Sequence, residues 1–190
     1  YTRLLDEREP SVVRGAGSFE ERLSSSLALD ELEQYHPASL CLIRLAAHLS
    51  PDGVPEDLLR SPRAVSEYTE ADPRYRTGRV NFNHVHFQLT RVLLMDFDRQ
   101  LKTFSVHPAV QEVVRDRIPA GERARVRESV RQVLASYAPH DEEADDPRHD
   151  HRYQNLRWQI VPSGASLSGD DEVRRWLVNQ VRYHHRKGEL

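Results

Sequence analysis

The side chains of this 190-residue chain that can move protons, ligate metals or attack carbonyls are ten histidines, one cysteine and a few paired carboxylates. Their spacing argues against most chemistries. His149-Asp150-His151 alternates in a stretch without apolar anchors, so no ligand geometry is fixed there. His184-His185 are neighbours on a predicted helix, where side chains diverge by about 100°. No metal site is expected. Glu142-Glu143, Asp145-Asp146 and Asp170-Asp171 fall in predicted loops or at a helix start, where carboxylates solvate or cap. The chain has no G-x-x-x-x-G-K-[ST] phosphate loop, no cysteine cluster for zinc and no G-x-S-x-G elbow. No catalytic residue is expected, and the chain on its own is not expected to be an enzyme. Cys41 lies in an apolar run and reads as a small buried hydrophobe.

His107 stands apart. Pro108 suits a first helical position, which puts His107 at the N-cap. A helix N-terminus presents free N–H groups and the positive end of the dipole, a setting that favours an anion such as phosphate. A neutral imidazole there offers one donor and one acceptor. From the residues alone, a plain N-cap histidine is the favoured reading of His107 over an anion contact, and His36-Pro37 repeats the same local pattern.

The elements that position these residues are mostly helices. Tyr1 to Arg8 reads as the tail of a preceding helix, broken by Glu9-Pro10 and Gly15-Ala16-Gly17. Ser18 with Glu21 forms a capping box opening a helix over about 19–34. Pro37 opens the next, and Leu40 to Leu49 is apolar nearly all round, which predicts a central buried helix. Ser50-Pro51-Asp52-Gly53 is a turn, and a short helix runs from Pro55 to about Leu59. Residues 61–79 lack a clean period and read as a short helix followed by a loop at 72–78. A helix spans Val80 to about Arg91. The apolar runs Val92–Phe97 and Thr103–Val106 flank Asp98-Arg99-Gln100 and predict a β-hairpin. Helices then start at Pro108 and before Val126. His140–His151 reads as an acidic linker, followed by a helix around Tyr153–Val161 and a last one over about 170–186, capped by Ser168 or Gly169. Trp176 is expected to pack on Tyr153 or Trp158. The predicted fold is mainly α: a winged-helix domain with a hairpin wing over 18–118, a tail of a preceding domain over 1–17, and an all-helical module over 119–190. The helical patterns at both ends suggest a segment of a larger protein.

Composition narrows the partners. Net charge is -3, which favours neither nucleic acid nor an anionic membrane surface. No stretch approaches the ~18 apolar residues of a membrane span, and a lone cysteine forms no internal disulfide, so a cytoplasmic location is expected. Between Arg74 and Lys102, six basic residues face only Asp96 and Asp98. That local excess supports an alternative reading, a DNA-binding winged-helix regulator, although the helix before the wing carries Phe82, Val85, Phe87 and Leu89 and few base readers.

Three stretches resemble one family. Ser105 to Asp116, with Val106-His107, Val110-Gln111, Val113 and Arg115-Asp116, is similar to the V-H-x-x-V-Q-x-V-x-R-D segment of STAND-class NTPases. These are the NB-ARC proteins with C-terminal tetratricopeptide repeats of actinobacteria, including those of FxSxx-COOH peptide systems. Ser26–Leu32, His36-Pro37-Ala38 and Leu42–Ala47 resemble the start of their winged-helix domain. Asp171–Tyr183 resembles the helix that opens their repeat array, and Arg186–Leu190 the turn after it. The resemblance implies a regulatory module that couples the ADP or ATP state of an upstream nucleotide-binding domain to a tetratricopeptide array binding a protein or peptide, with ligand-induced oligomerisation of the full-length protein as a further possibility. It implies that His107 is the nucleotide sensor, touching the phosphates of ADP in the inactive state. The nucleotide, with Mg²⁺, would be held by the parent protein's upstream domain, and no cofactor by this chain. Pro108 departs from the motif's usual Asp, so no acidic role carries over to that position.

Overall fold

A helix that is apolar on nearly every side needs neighbours on every side. In the computed structural model, which describes residues 19–74, 81–140 and 146–188, the Leu40–Leu49 run supplies that hub. α1 (Phe19–Tyr35) leads into α2 (Pro37–Ala46), and α4 (Pro62–Ala71), α5 (Phe82–Arg91), α6 (Pro108–Arg117) and α7 (Arg123–Tyr137) all pack on α2. Leu42 and Ile43 are fully buried there. A single turn of helix, α3 (Glu56–Leu59), lies between α2 and α4, and α8 (Asp150–Arg157), α9 (Ile160–Ser163) and α10 (Asp171–Lys187) complete the chain. The described residues are mainly helical, with one small antiparallel sheet.

The sheet has the order β1-β3-β2, from β1 (Val54–Pro55), β2 (Asp96–Asp98) and β3 (Thr103–Ser105). β2 and β3 form the predicted hairpin, with Phe97 opposite Phe104, and β1 adds Val54 on the other side of Phe104. Two residues carry no alternation, so β1 left no periodic signal. Gly53 makes that pairing possible. Its φ is +142°, and an added Cβ would sit 3.4 Å from the Thr103 Cβ. Phe104 is buried, stacks on Phe97 at 4.5 Å and meets Phe82 of α5 edge-on at 5.6 Å.

Several expectations need correction. The Val92–Phe97 run becomes strand only at Asp96. Leu93 takes a left-handed φ of 57°, and Leu94 N–H donates to the Leu89 carbonyl, so the chain turns back under α5 and buries Leu94 and Met95. The apolar residues there mark a helix end rather than a strand. Within 61–79, Pro62–Ala71 is a full helix capped by Ser61, amphipathic despite its polar composition; residues 75–80 lie outside the described residues. The expected linker His140–His151 is shorter: a 3-10 turn spans Pro147–His149 and α8 begins at Asp150. The helix expected around Tyr153–Val161 is interrupted between Arg157 and Ile160. Asp170, not Ser168 or Gly169, caps α10, accepting from the Glu172 and Val173 N–H groups at 2.8 and 3.1 Å. The 1–17 tail, Ser18 and the Glu21 side chain lie outside the described residues.

Trp176 is buried, but Trp158 is 64% exposed and is not its partner. The Trp176 indole donates to Gln180 Oε1 at 3.4 Å. The Gln180 amide in turn donates to the Tyr153 carbonyl and to His184 Nε2, each at 2.8 Å. Tyr153 stacks on Tyr183 at 4.4 Å. Gln180 thus supplies the polar link between Trp176 and Tyr153, and α10 is fixed to α8 by a satisfied buried network as well as by rings. Leu134, Leu156, Val173 and Trp176 belong to one continuous core with Leu42 and Phe104.

Because Phe104 joins sheet to helices, Phe104→Ala should lower stability by about 3–5 kcal/mol, read as a fall in the urea midpoint at unchanged m-value.

Candidate functional site

His107 follows β3 by two residues, and the geometry around it is set from both sides. Val106 is buried and anchors the end of the ribbon, while Ala109, Val113 and Val114 fix the inner face of α6. His107 itself is exposed at the helix start, with φ -55° and ψ 138°. Its Nδ1 accepts the Ala109 N–H at 3.3 Å. With Nδ1 used as acceptor, the proton of the neutral ring resides on Nε2. The cap therefore leaves Nε2 as the ring donor of an exposed residue at the positive end of a ten-residue helix.

His36, with the same His-Pro pattern, behaves differently. Its φ is -137°, ψ is 61°, and its side chain caps nothing. Its ring lies 6.2 Å from that of His84, and burial, then Arg74, lowers its pKa. The dipeptide alone does not define a cap; the extended backbone leaving β3 does.

Two residues that the sequence reading left without a role hold α6 in place. Gln111 Nε2 donates to the carbonyls of Leu49 at 3.0 Å and Ala46 at 3.4 Å. Arg115 donates to the Ala47 carbonyl at 2.6 Å. Together they cover the carbonyls of the turn in which α2 ends, adding to the backbone N–H groups of Ala47, His48 and Leu49 that meet Ile43, Leu45 and Ala46, at a place where a cation is also favoured by the dipole. The signal was present as a stripe: His107, Gln111 and Arg115 recur every four residues along one side of α6.

His48 sits beside this clamp and is 7% exposed, with no partner for Nε2 among the described residues. Burial, then the charges of Arg115, Arg127 and Arg131, push its pKa down to about 4. Charging it would place a cation among guanidinium groups in the interior.

The other reactive groups are accounted for structurally. A cavity of about 690 Å³ between α2, α4 and α7 is lined by Cys41, Glu67, Glu70 and Arg125 among others. The Cys41 thiol donates to the Glu67 carbonyl, and burial pushes its pKa up to about 12, which suppresses the nucleophilic thiolate. Asp150 pairs with Lys187 at 2.7 Å, and His151 Nδ1 lies 3.0 Å from the Arg148 carbonyl. His184 is buried and His185 exposed. Among the described residues no group of three or more His, Cys, Asp or Glu side chains is placed to hold a metal, and no helix is long and apolar enough to cross a membrane. Of the basic residues near the ribbon, Arg74 pairs with Asp72 and Arg91 with Glu31; Arg76 and Arg79 lie outside the described residues.

Residues 30–123 match the family model described as a domain of unknown function, DUF7779. The matched stretch runs from within α1 to the start of α7 and so takes in the sheet, His107, Gln111 and Arg115. No curated protein matches the chain, and no solved structure does.

Removing the capping ring should be measurable without any ligand. His107→Ala should cost about 0.5–2 kcal/mol of stability, whereas His107→Asn, which keeps a capping acceptor, should lose a smaller part, both read by chemical unfolding. His48 gives a pH signature. Its folded pKa lies below that of the unfolded chain, so below pH 6.5 the unfolded state binds the proton first and the native state loses stability until pH falls to about 4. The loss should reach up to about 3 kcal/mol. His48→Leu should flatten that part of the profile, measured as the difference between unfolding free energies at pH 7.5 and 4.5.

Proposed function

We propose that this chain is the regulatory interaction module of a nucleotide-switched signalling ATPase of the STAND class, working in the cytoplasm. In this reading residues 18–118 form a winged-helix domain and residues 119–190 lead into a tetratricopeptide solenoid that recruits a protein or peptide. The chain performs no catalysis of its own. A three-stranded antiparallel sheet whose last two strands form a hairpin between α5 and α6 supports the winged-helix part.

The observation that carries the proposal is the oriented His107 ring. It is exposed, its Nδ1 is committed to the Ala109 N–H, and Nε2 is left as the donor of a ring at a helix N-terminus. That arrangement suits a phosphate oxygen presented by a neighbouring domain. Magnesium and the nucleotide's other contacts would belong to that domain, and the nucleotide would supply the charge that His107 reads. Loss of the His107 contact would leave α6, and everything clamped to it, free to move relative to the nucleotide domain, a two-state element biased by ligand. The DNA-binding alternative has less support, because Arg74 and Arg91 are already in ion pairs with Asp72 and Glu31.

In the full-length protein, His107→Ala and the cap-retaining His107→Asn should both speed release of a fluorescent ADP analogue, by about tenfold for loss of one charge-assisted hydrogen bond. Unchanged release in both variants would remove His107 from nucleotide sensing. A salt-dependent gel shift with duplex DNA at low ionic strength would instead favour the alternative.

A further inference from the structure

The cleft of about 690 Å³ between α2, α4 and α7 has the size of a small-molecule site. Leu40 and Cys41 of α2 and Val126 of α7 line it and are only half-buried, so apolar surface faces the opening. The walls carry charge of both signs, and part of it is already matched. Arg44 pairs with Glu122 at 3.3 Å, and Glu67 with Arg63 at 2.8 Å. Glu70 and Arg125 remain. Glu70 accepts the Ser66 hydroxyl at 2.9 Å but has no cation, and Arg125 makes no hydrogen bond or ion pair among the described residues. The two stand at the same level of the cleft. α4 and α7 meet where Arg63 donates to Gln132 at 2.7 Å. About two turns on from Arg63 along α4 is Glu70, and about two turns back from Gln132 along α7 is Arg125. The later residues of α4 and the earlier ones of α7 line the cleft together, so the helices run antiparallel, joined at Arg63 and Gln132 and parted at Glu70 and Arg125. The charges of Glu67, Arg44, Arg125 and Glu70 all bear on the Cys41 thiol, which places them around one spot.

We propose that this cleft binds a small zwitterion with an apolar body, of the class of free apolar α-amino acids. Its carboxylate would pair with Arg125 and its ammonium with Glu70, while its side chain covers Leu40, Cys41 and Val126. The charge pattern selects this occupant. A pure anion would meet Glu70, a pure cation would meet Arg125, and an uncharged apolar molecule would leave both without counter-charge. Glu70 and Arg125 are exposed, so each charged contact contributes modestly and specificity comes from having both. Occupancy would tie α4 to α7 across their parted ends. No residue of α6 lines the cleft, so the proposal does not depend on the role given to His107.

The test titrates L-phenylalanine and L-leucine into the 190-residue chain by calorimetry at pH 6, where the amines of the probes stay charged. At least one should bind saturably. N-acetylation of that probe, which removes the ammonium, and amidation, which removes the carboxylate, should each weaken binding roughly fivefold. The variants assign the contacts. Glu70→Gln should bind the free and the N-acetylated probe equally, and Arg125→Gln the free and the amidated probe equally. Both positions are exposed, and circular dichroism checks that the variants are folded. Cys41, the sole cysteine, reports the location: saturating probe should slow its alkylation by iodoacetamide. No binding of either amino acid, capped probes that bind as well as the free one, preferences unchanged by both substitutions, or alkylation of Cys41 at an unchanged rate would overturn the proposal.

Discussion

The end of α2 is the constraint on which the rest of the structure depends. A helix that stops inside a protein leaves carbonyls that water cannot reach, and each must find a donor or lower the stability of the fold. Here the Ala47, His48 and Leu49 N–H groups meet the Ile43, Leu45 and Ala46 carbonyls, and α6 supplies further donors just beyond them. Gln111 and Arg115 reach the carbonyls of Ala46, Ala47 and Leu49, and the apolar side of the same helix closes the core through Val113 and Val114. Satisfying α2 therefore fixes where α6 lies, and with it the direction in which His107 points. The charge of Arg115 serves two ends: it suits the negative pole of α2, and it helps keep His48 neutral.

Much of this was legible before any coordinates. Pro37 and Pro108 each stand at a first helical position, and the all-round apolar character of Leu40–Leu49 marked the centre. His107 is the cap that its place before Pro108 implied. What escaped the sequence had physical causes. β1 is two residues long, and it is set up by the φ of +142° at Gly53, a conformation side-chain-bearing residues rarely adopt, rather than by any pattern of its own. Val92 to Met95 are apolar because a left-handed turn at Leu93 folds them under α5, and apolar content alone does not separate that from a strand. The clamp was hidden because Gln and Arg on a helix usually face water, and only the position of α2 shows that these two do not. His36 makes the converse point, since the same His-Pro pair without a strand behind it caps nothing.

The later helices add a second polar anchor of the same kind. Gln180 is buried and satisfied on each side, by Trp176, by Tyr153 and by His184. Replacing either half of such a network leaves a polar atom stranded, so it specifies one arrangement of α8 against α10 more strictly than apolar packing would. Tyr137 extends the pattern between α7 and α3: its hydroxyl donates to Asp57 at 2.7 Å, and burial together with that bond raises its pKa.

Gln159 links these two regions. It is 1% exposed; its Oε1 accepts the Ser50 N–H at 2.7 Å, and its Nε2 donates to the Gly53 carbonyl at 3.2 Å. Ser50 is the residue after Leu49, whose carbonyl Gln111 holds. A push delivered to the start of α6 would thus pass through its side-chain grip on α2 into the Ser50–Gly53 bend, and from there to the break between α8 and α9. Over that route the chain acts as a strut, with hydrogen-bonded joints that move together or part together.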